Sequence, residues 1–330
     1  MNVEAPRGVN LGAIQKPVRE KLDAVSRTMA AIVASDMPLV GEVSAHLLAM
    51  RGKLFRPTLL LLSSEVEEKP EERAISLAAT LELIHLATLV HDDAVDHSVL
   101  RRGMPTVNAL FSHQISVIMG DFLYSSALTH LVSLGSLEAL QALTRASTEM
   151  TLGEMRQLAV VDPLGFSEDE YFALIRSKTA SLMRAACELG AISGARRYCD
   201  RLGAFGENLG MAFQITDDLL DYREEKETTG KPSGLDLREH KVTLPLIYAL
   251  RRMSPAARAE VDRLFASENA SDEQIASVVG IVAASGGFEY ARQRGEEFAE
   301  KAHEALSALP DAIARESLTA SISYVMERHS

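Results

Sequence analysis

Residues 71–93 read EERAISLAATLELIHLATLVHDD, and the spacing of their apolar side chains decides the fold class. Ala, Leu, Ile and Val recur three and four residues apart, the interval that stacks side chains on one face of an α-helix. Residues 171–192, YFALIRSKTASLMRAACELGAI, repeat the pattern. Alternating β-branched runs are scarce, and no proline lies between Pro105 and Pro163 or between Pro163 and Pro232, so long helices are permitted there. The chain is expected to be all-α. Capping boxes place helix starts at Ser167, three before Glu170, and at Ser271, three before Gln274; Gly286-Gly287 and Leu309-Pro310 mark breaks. Gly103-Met104-Pro105 is expected to close a further helix.

No linker, composition shift or fixed-period repeat divides residues 1–330, so a single helical domain is the economical organisation. With 47% hydrophobic residues the chain can bury a large core, which excludes disorder as its main state. Lys plus Arg number 34 against 46 Asp plus Glu, a net charge of -12, so there is no basic field for nucleic acid. Two cysteines, Cys187 and Cys199, make no disulfide framework or zinc spacing, which points to a reducing compartment and hence the cytoplasm. The first residues lack the order of a secretory signal. Charged or polar clusters interrupt each apolar stretch before the roughly 18 to 20 residues of a membrane crossing, so no transmembrane segment is expected. The polar segment from Arg223 to Lys241, with Gly230, Pro232 and Gly234, is the longest plausible loop and a candidate lid.

Two copies of Asp-Asp-x-x-Asp are the most informative residues: Asp92, Asp93 and Asp96 in HDDAVD, and Asp217, Asp218 and Asp221 in TDDLLD, each ending an apolar helical run. Positions four apart share a helix face, so Asp92 stands with Asp96 and Asp217 with Asp221, a repulsive spacing on a bare helix. A hard, oxygen-seeking cation offsets that repulsion, and Mg²⁺ held by one or two carboxylates plus substrate phosphates is the usual arrangement. A lone copy reads equally well as a solvated acidic helix end. With Asp at about 5% of residues, two chance copies are expected in on the order of one chain in a thousand.

The cations indicate the anion. Lys53 and Arg56 lie in RGKLFRP ahead of the first acidic motif, Arg101 and Arg102 follow it, Lys178 is mid-chain, and Lys231 and Lys241 lie in the long polar segment. Singly each reads as surface charge. Together with the acidic pair they favour a diphosphate site, because guanidinium forks and ammonium groups complement phosphate oxygens that a metal leaves unpaired.

In GKLFRP, LIHLATLVHDDAVDHSVLRRG, GDFLYSSA, IRSKTASL and FQITDDLLDYREEKETTGKPSGLDLREHKVTLPL, taken in order from Gly52 to Pro245, the chain resembles the trans-isoprenyl diphosphate synthases, or polyprenyl synthetases, and among them the medium- and long-chain bacterial members. The resemblance implies long helices around a central cavity and a prenyltransferase that condenses an allylic diphosphate with isopentenyl diphosphate, head to tail, into a medium- or long-chain polyprenyl diphosphate. It implies Mg²⁺, three ions with bound diphosphate, held by Asp92, Asp96 and Asp217 with Asp218 and Asp221 in support. Arg101, Lys178 and Lys231 add positive charge around the same group. Isopentenyl diphosphate takes a metal-free pocket of Lys53, Arg56, His85 and Arg102, and Thr179 and Gln214 set oxygen dipoles beside the allylic cation. A homodimer is implied in the same way. His85 lies two turns before Asp92 on nearly the same face; a lone histidine on an apolar helix is more often a satisfied core residue, and the resemblance reverses that. His91 and His97 carry no assignment.

Short-product members commonly carry a bulky aromatic four or five residues before the first Asp, where this chain has Thr88 and Ala87. Ala87, Ile84 and Thr80 fall within about 60° on a helical wheel, a stripe for a growing tail with Leu128 opposite, although the same residues read equally well as packed core. A product longer than geranylgeranyl diphosphate is expected. A class I terpene cyclase shares the all-α fold and one acidic motif, but its Asn/Ser/Glu-type second motif is absent. A metal phosphohydrolase built on His91-Asp92 lacks further ligands. Two intact Asp triplets argue against a non-catalytic subunit of a heteromeric synthase.

Overall fold

The computed structural model describes residues 10–50, 52–67, 70–223, 234–267 and 269–327. Its helices in chain order are α1 (Leu11–Gln15), α2 (Arg19–Ile32), α3 (Pro38–Ala49), α4 (Phe55–Ser64), α5 (Arg73–Val95), α6 (Val107–Leu110), α7 (His113–Ser133), α8 (Leu137–Leu158), α9 (Glu168–Ile175), α10 (Ser181–Ile192) and α11 (Cys199–Arg223). Short helices at Leu235–Arg238 and Leu244–Leu250 follow, then Pro255–Phe265, Asp272–Ala284, Gly287–Leu306 and Ile313–Met326. The fold is all-α, with both capping boxes formed at Ser167 and Ser271. Among the described residues the only strands are β1 (Leu100–Arg101) and β2 (Met104–Pro105), paired antiparallel. This hairpin corrects the helix end expected at Gly103-Met104-Pro105. Arg102 and Gly103 form its two-residue loop, both at positive φ (52° and 76°), the geometry that matches a tight turn to the twist of its strands.

Helices α4 and α10 lie in the interior. Leu59, Leu60, Leu61 and Leu62 are all fully buried, as is nearly every residue of α10, and a helix apolar all round belongs inside a fold. Removing each such leucine from water contributes on the order of 2 kcal/mol. The two helices touch closely at Gly190, where a Cβ would lie 2.2 Å from the Leu60 carbonyl oxygen. Around them, α5 packs on α2, α4 and α7, and α11 packs on α10 and on the Gly287–Leu306 helix. Nearly all the buried apolar side chains form one cluster from Ile14 to Val325. Contrary to the expected interruption by charge, α5 and α7 are each long and apolar enough to cross a membrane. In α5, however, 61% of the apolar window is buried inside the fold, against 33% in α7. The first is a core helix; the second keeps apolar surface outside.

Candidate active site

The first triplet sits where α5 ends. Asp96 closes the helix, its N–H donating to the Asp92 carbonyl. Asp93 is buried and accepts from Arg101 Nε at 2.7 Å, which ties the hairpin to α5. Asp96 is exposed and lines a cavity of about 650 Å³ together with Lys178, Thr179, Gln214, Asp218 and Asp236. The two acidic motifs thus meet across one cavity.

On α11 the three carboxylates differ. Asp217 is exposed, whereas Asp218 is buried with Oδ1 accepting from Gln214 Nε2 at 2.7 Å and Oδ2 from the Tyr171 hydroxyl at 2.6 Å. Asp221 accepts the backbone N–H groups of Leu235 (3.1 Å) and Asp236 (3.0 Å), which anchors the Leu235–Arg238 helix against α11. Burial, followed by repulsion from Glu154, pushes the Asp92 carboxyl up to about 6; Asp96 adds to this, and Lys178 and Arg101 oppose it. Burial and then Asp221 push Asp236 up to about 7, and burial with the Asp236 charge holds Asp218 well above the ordinary carboxylate range. Oxygen-only donors crowded at a cost in charge repulsion suit a hard divalent cation. Asp92, Asp96 and Asp217 could hold one, and Asp218 and Asp221 also make the bonds just given. Among the described residues no three His, Cys, Asp or Glu side chains form a ready-made metal position.

Between α9 and α10 the chain makes one widened turn, Arg176–Ala180, in which the Ser181 N–H donates to the Arg176 carbonyl five residues back. Such π turns recur at functional sites. Glycines make room for it: a Cβ on Gly210 of α11 would lie 2.6 Å from Ala180 Cα, and one on Gly153 of α8 would lie 3.2 Å from the Lys178 backbone nitrogen. The turn brings the consecutive Lys178 and Thr179 to the same cavity. Lys178 Nζ donates to Glu154 Oε2 at 3.0 Å and to Gln157 Oε1 at 3.1 Å, and the Thr179 hydroxyl donates to Gln214 Oε1 at 2.7 Å. Sequence reasoning missed Glu154, Gln157 and Tyr171, which belong to no charged motif and enter the site only through the packing of α8 and α9.

The second basic group gathers at the start of α4. Leu54, at φ 48°, turns the chain between Lys53 and Arg56. Arg56 Nη1 bonds His85 Nε2 at 3.1 Å. Burial, then the charges of Arg56, Arg102 and Arg101, hold His85 well below its usual range, so the ring is neutral, accepts at Nε2 and carries its proton on Nδ1. Arg102 Nη1 donates to the Met50 carbonyl at 3.1 Å and passes over Gly52, where a Cβ would be 2.8 Å away. Lys53 is exposed, with Nζ 3.4 Å from the Tyr324 hydroxyl. Beside this group lies another residue the sequence did not reveal: Glu82, buried one turn before His85. Its Oε2 has no hydrogen-bond partner, and neither has Arg56 Nε. Burial lowers Arg56 and raises Glu82, and each charge opposes the effect on the other. Lys231 and residues 224–233 of the expected lid lie outside the described residues.

A second cavity, of about 410 Å³, is lined by Ala87 and Thr88 of α5, Tyr124 of α7, and Ser147, Met150 and Thr151 of α8. Ile84 and Thr80, expected on the same stripe, are fully buried and do not border it, and Leu128 packs against the core. His91 reaches the Val117 carbonyl (3.1 Å) and Asp121 (3.3 Å) across Gly120, which links α5 to α7; His97 lies against His113 with ring centres 5.7 Å apart.

The fold and the cavity define a class: an all-α protein with a cavity bordered by two aspartate-bearing helices. Residues 37–282 match the polyprenyl synthetase family. The chain is 36% identical over 312 residues to octaprenyl diphosphate synthase of Escherichia coli (strain K12), covering 94% of this chain and 96% of that protein. It superposes with a TM-score of 0.91 on the crystal structure of a decaprenyl diphosphate synthase from Rhodobacter capsulatus, at 35% identity over 97% of this chain and 99% of that one. The TM-score is again 0.91 to a polyprenyl synthase from Caulobacter crescentus CB15 complexed with calcium and isoprenyl diphosphate, at 32% identity over 99% of this chain and 100% of that one. The chain belongs to the polyprenyl synthetase family.

Proposed function

We propose that this chain condenses an allylic diphosphate with isopentenyl diphosphate, head to tail and trans, and repeats the step to a medium- or long-chain polyprenyl diphosphate. The observation that carries this reading is the single cavity lined by Asp96 and Asp218, one from each acidic motif, and by Lys178. Mg²⁺ is the proposed cation, three ions with bound diphosphate, held by Asp92, Asp96 and Asp217 and supported by Asp218 and Asp221. When bound it stabilises negative charge on the departing pyrophosphate. Lys178 exchanges Glu154 for a phosphate oxygen, and Arg101 and Lys231 add positive charge. Thr179 and Gln214 present oxygen dipoles to the allylic carbon. Lys53, Arg56 and Arg102 hold the diphosphate of the second substrate without metal, and the Nδ1–H of neutral His85 donates to it. The growing tail enters the cavity bordered by Ala87 and Thr88.

The chain is inferred to act as one domain over residues 1–330, supported by its continuous core, and as a homodimer through α7 and α8, where Val117, Ile118, Val132 and Leu137 stay exposed. Both cysteines are free thiols, in keeping with the cytoplasm. Incubation with farnesyl diphosphate, isopentenyl diphosphate and Mg²⁺ tests the activity directly. Products longer than geranylgeranyl diphosphate, lost on adding EDTA, are expected; absence of any condensation, or turnover indifferent to EDTA, sinks the reading.

A further inference from the structure

Thr179 and Gln214 serve an allylic cation only if their oxygens, rather than their hydrogens, face it. A hydrogen-bond chain enforces that direction. The Tyr171 hydroxyl donates to Asp218 Oδ2 (2.6 Å), Gln214 Nε2 donates to Asp218 Oδ1 (2.7 Å), and the Thr179 hydroxyl donates to Gln214 Oε1 (2.7 Å). All four residues line the same cavity. Both Asp218 oxygens accept here, so Asp218 fixes the Gln214 amide with its nitrogen inward and its oxygen toward Thr179. The Thr179 proton is thereby committed to Gln214, and the lone pairs of its oxygen are left for the cavity. In a buried chain each bond polarises the next, so the two bonds Asp218 accepts orient and polarise the Gln214 amide and, through it, the Thr179 hydroxyl. Tyr171 closes the other end: it is 2% exposed, and its hydroxyl would be an unsatisfied buried donor without Asp218.

We propose that Tyr171 is a positioning residue for the ionisation step, and that Asp218 is the anchor of a Tyr171–Asp218–Gln214–Thr179 relay that turns the Thr179 oxygen toward the allylic cation. This rests on the reading that the cavity takes the allylic diphosphate. Within it, the relay assigns Asp218 a task apart from its neighbours Asp217 and Asp221.

Two ligands separate a positioning role from a structural one: a farnesyl diphosphate analogue with a tertiary ammonium in place of C3, which imitates the cation, and farnesyl thiolodiphosphate, whose chain is uncharged. Binding of each with Mg²⁺ is measured by calorimetry on the full chain. Tyr171→Phe is expected to weaken the ammonium analogue about tenfold while changing the thiolodiphosphate less than about twofold, and to lower kcat with KM for both substrates held. Thr179→Ser keeps the wild-type ratio of the two affinities, and Thr179→Val loses it. Asp218→Asn offers the relay an amide nitrogen that donates to Gln214, which flips that amide and turns the Thr179 proton to the cavity. It is expected to lower the ratio further, and it carries the test should Tyr171→Phe fail to fold. A ratio unchanged in Tyr171→Phe and Asp218→Asn, or an equal loss for both ligands, overturns the relay. Wild-type protein that binds neither ligand would instead defeat the underlying assignment of the cavity.

Discussion

Asp92 carries the electrostatic signature of the site. Its folded-state pKa of about 6 lies above the ordinary value of 3.8, so between those values the folded chain keeps a proton that the unfolded chain has lost. Stability from this group therefore falls as pH rises through that window and stays low above it. In metal-free protein Asp92→Asn should match wild type near pH 4 and exceed its Tm by several degrees at pH 8, and Mg²⁺ should raise the Tm of wild type far more than that of the variant. Parallel melting curves across that range would count against the crowding argument. Glu82 sits beside the proposed pocket of the other substrate. Its carboxylate is the counter-charge to half-buried Arg56, and removing one member of such a pair leaves the other uncompensated. Glu82→Gln should raise KM for isopentenyl diphosphate about tenfold and leave KM for the allylic substrate in place; steady-state kinetics with each substrate varied in turn decides it.

Among elements, the widened turn at Arg176–Ala180 is tightly constrained, since Gly153 and Gly210 leave it room. A methyl group at Gly210 meets backbone, 2.6 Å from Ala180 Cα, and backbone cannot swing aside as a side-chain tip can. Gly210→Ala should cost about 1 to 3 kcal/mol and lower kcat together with Tm; thermal melts and turnover measured side by side test this. The proposed chain-length wall is also an element property, because Ala87 borders a cavity between α5, α7 and α8. Ala87→Phe would fill part of the 410 Å³ cavity and shift products to shorter chains. Product analysis giving an unchanged length distribution at retained activity would remove that cavity from the tail's path.

For the whole molecule, the exposed apolar face of α7 is where the proposed homodimer would form. Ile118 is 65% exposed on a helix whose apolar window is only one-third buried, a pattern that suits a second copy of the chain. Ile118→Glu is expected to convert a dimer to monomer in light scattering. A wild-type monomer, or a dimer insensitive to that charge, would refute the assignment.

Helix class, both capping boxes and the two aspartate pairs were legible because they depend on contacts within about one turn of chain: side-chain period, Ser-to-Glu spacing, carboxylates four apart. The β1–β2 hairpin was not, since two-residue strands have no period and Arg102 is no usual turn residue. Nor did the triplets reveal that Asp93 and Asp221 hold the hairpin and the Leu235–Arg238 helix in place. Tyr171 and Asp218 are 47 residues apart, and Lys178 and Glu154 are 24 apart. By itself the sequence determined which helices form and which charges they carry. Only the tertiary structure decided which carboxylate faces the cavity, which buried donor fixes its neighbour and where Glu82 and Glu154 act, because those roles arise when burial strips water from groups that chain packing has brought together.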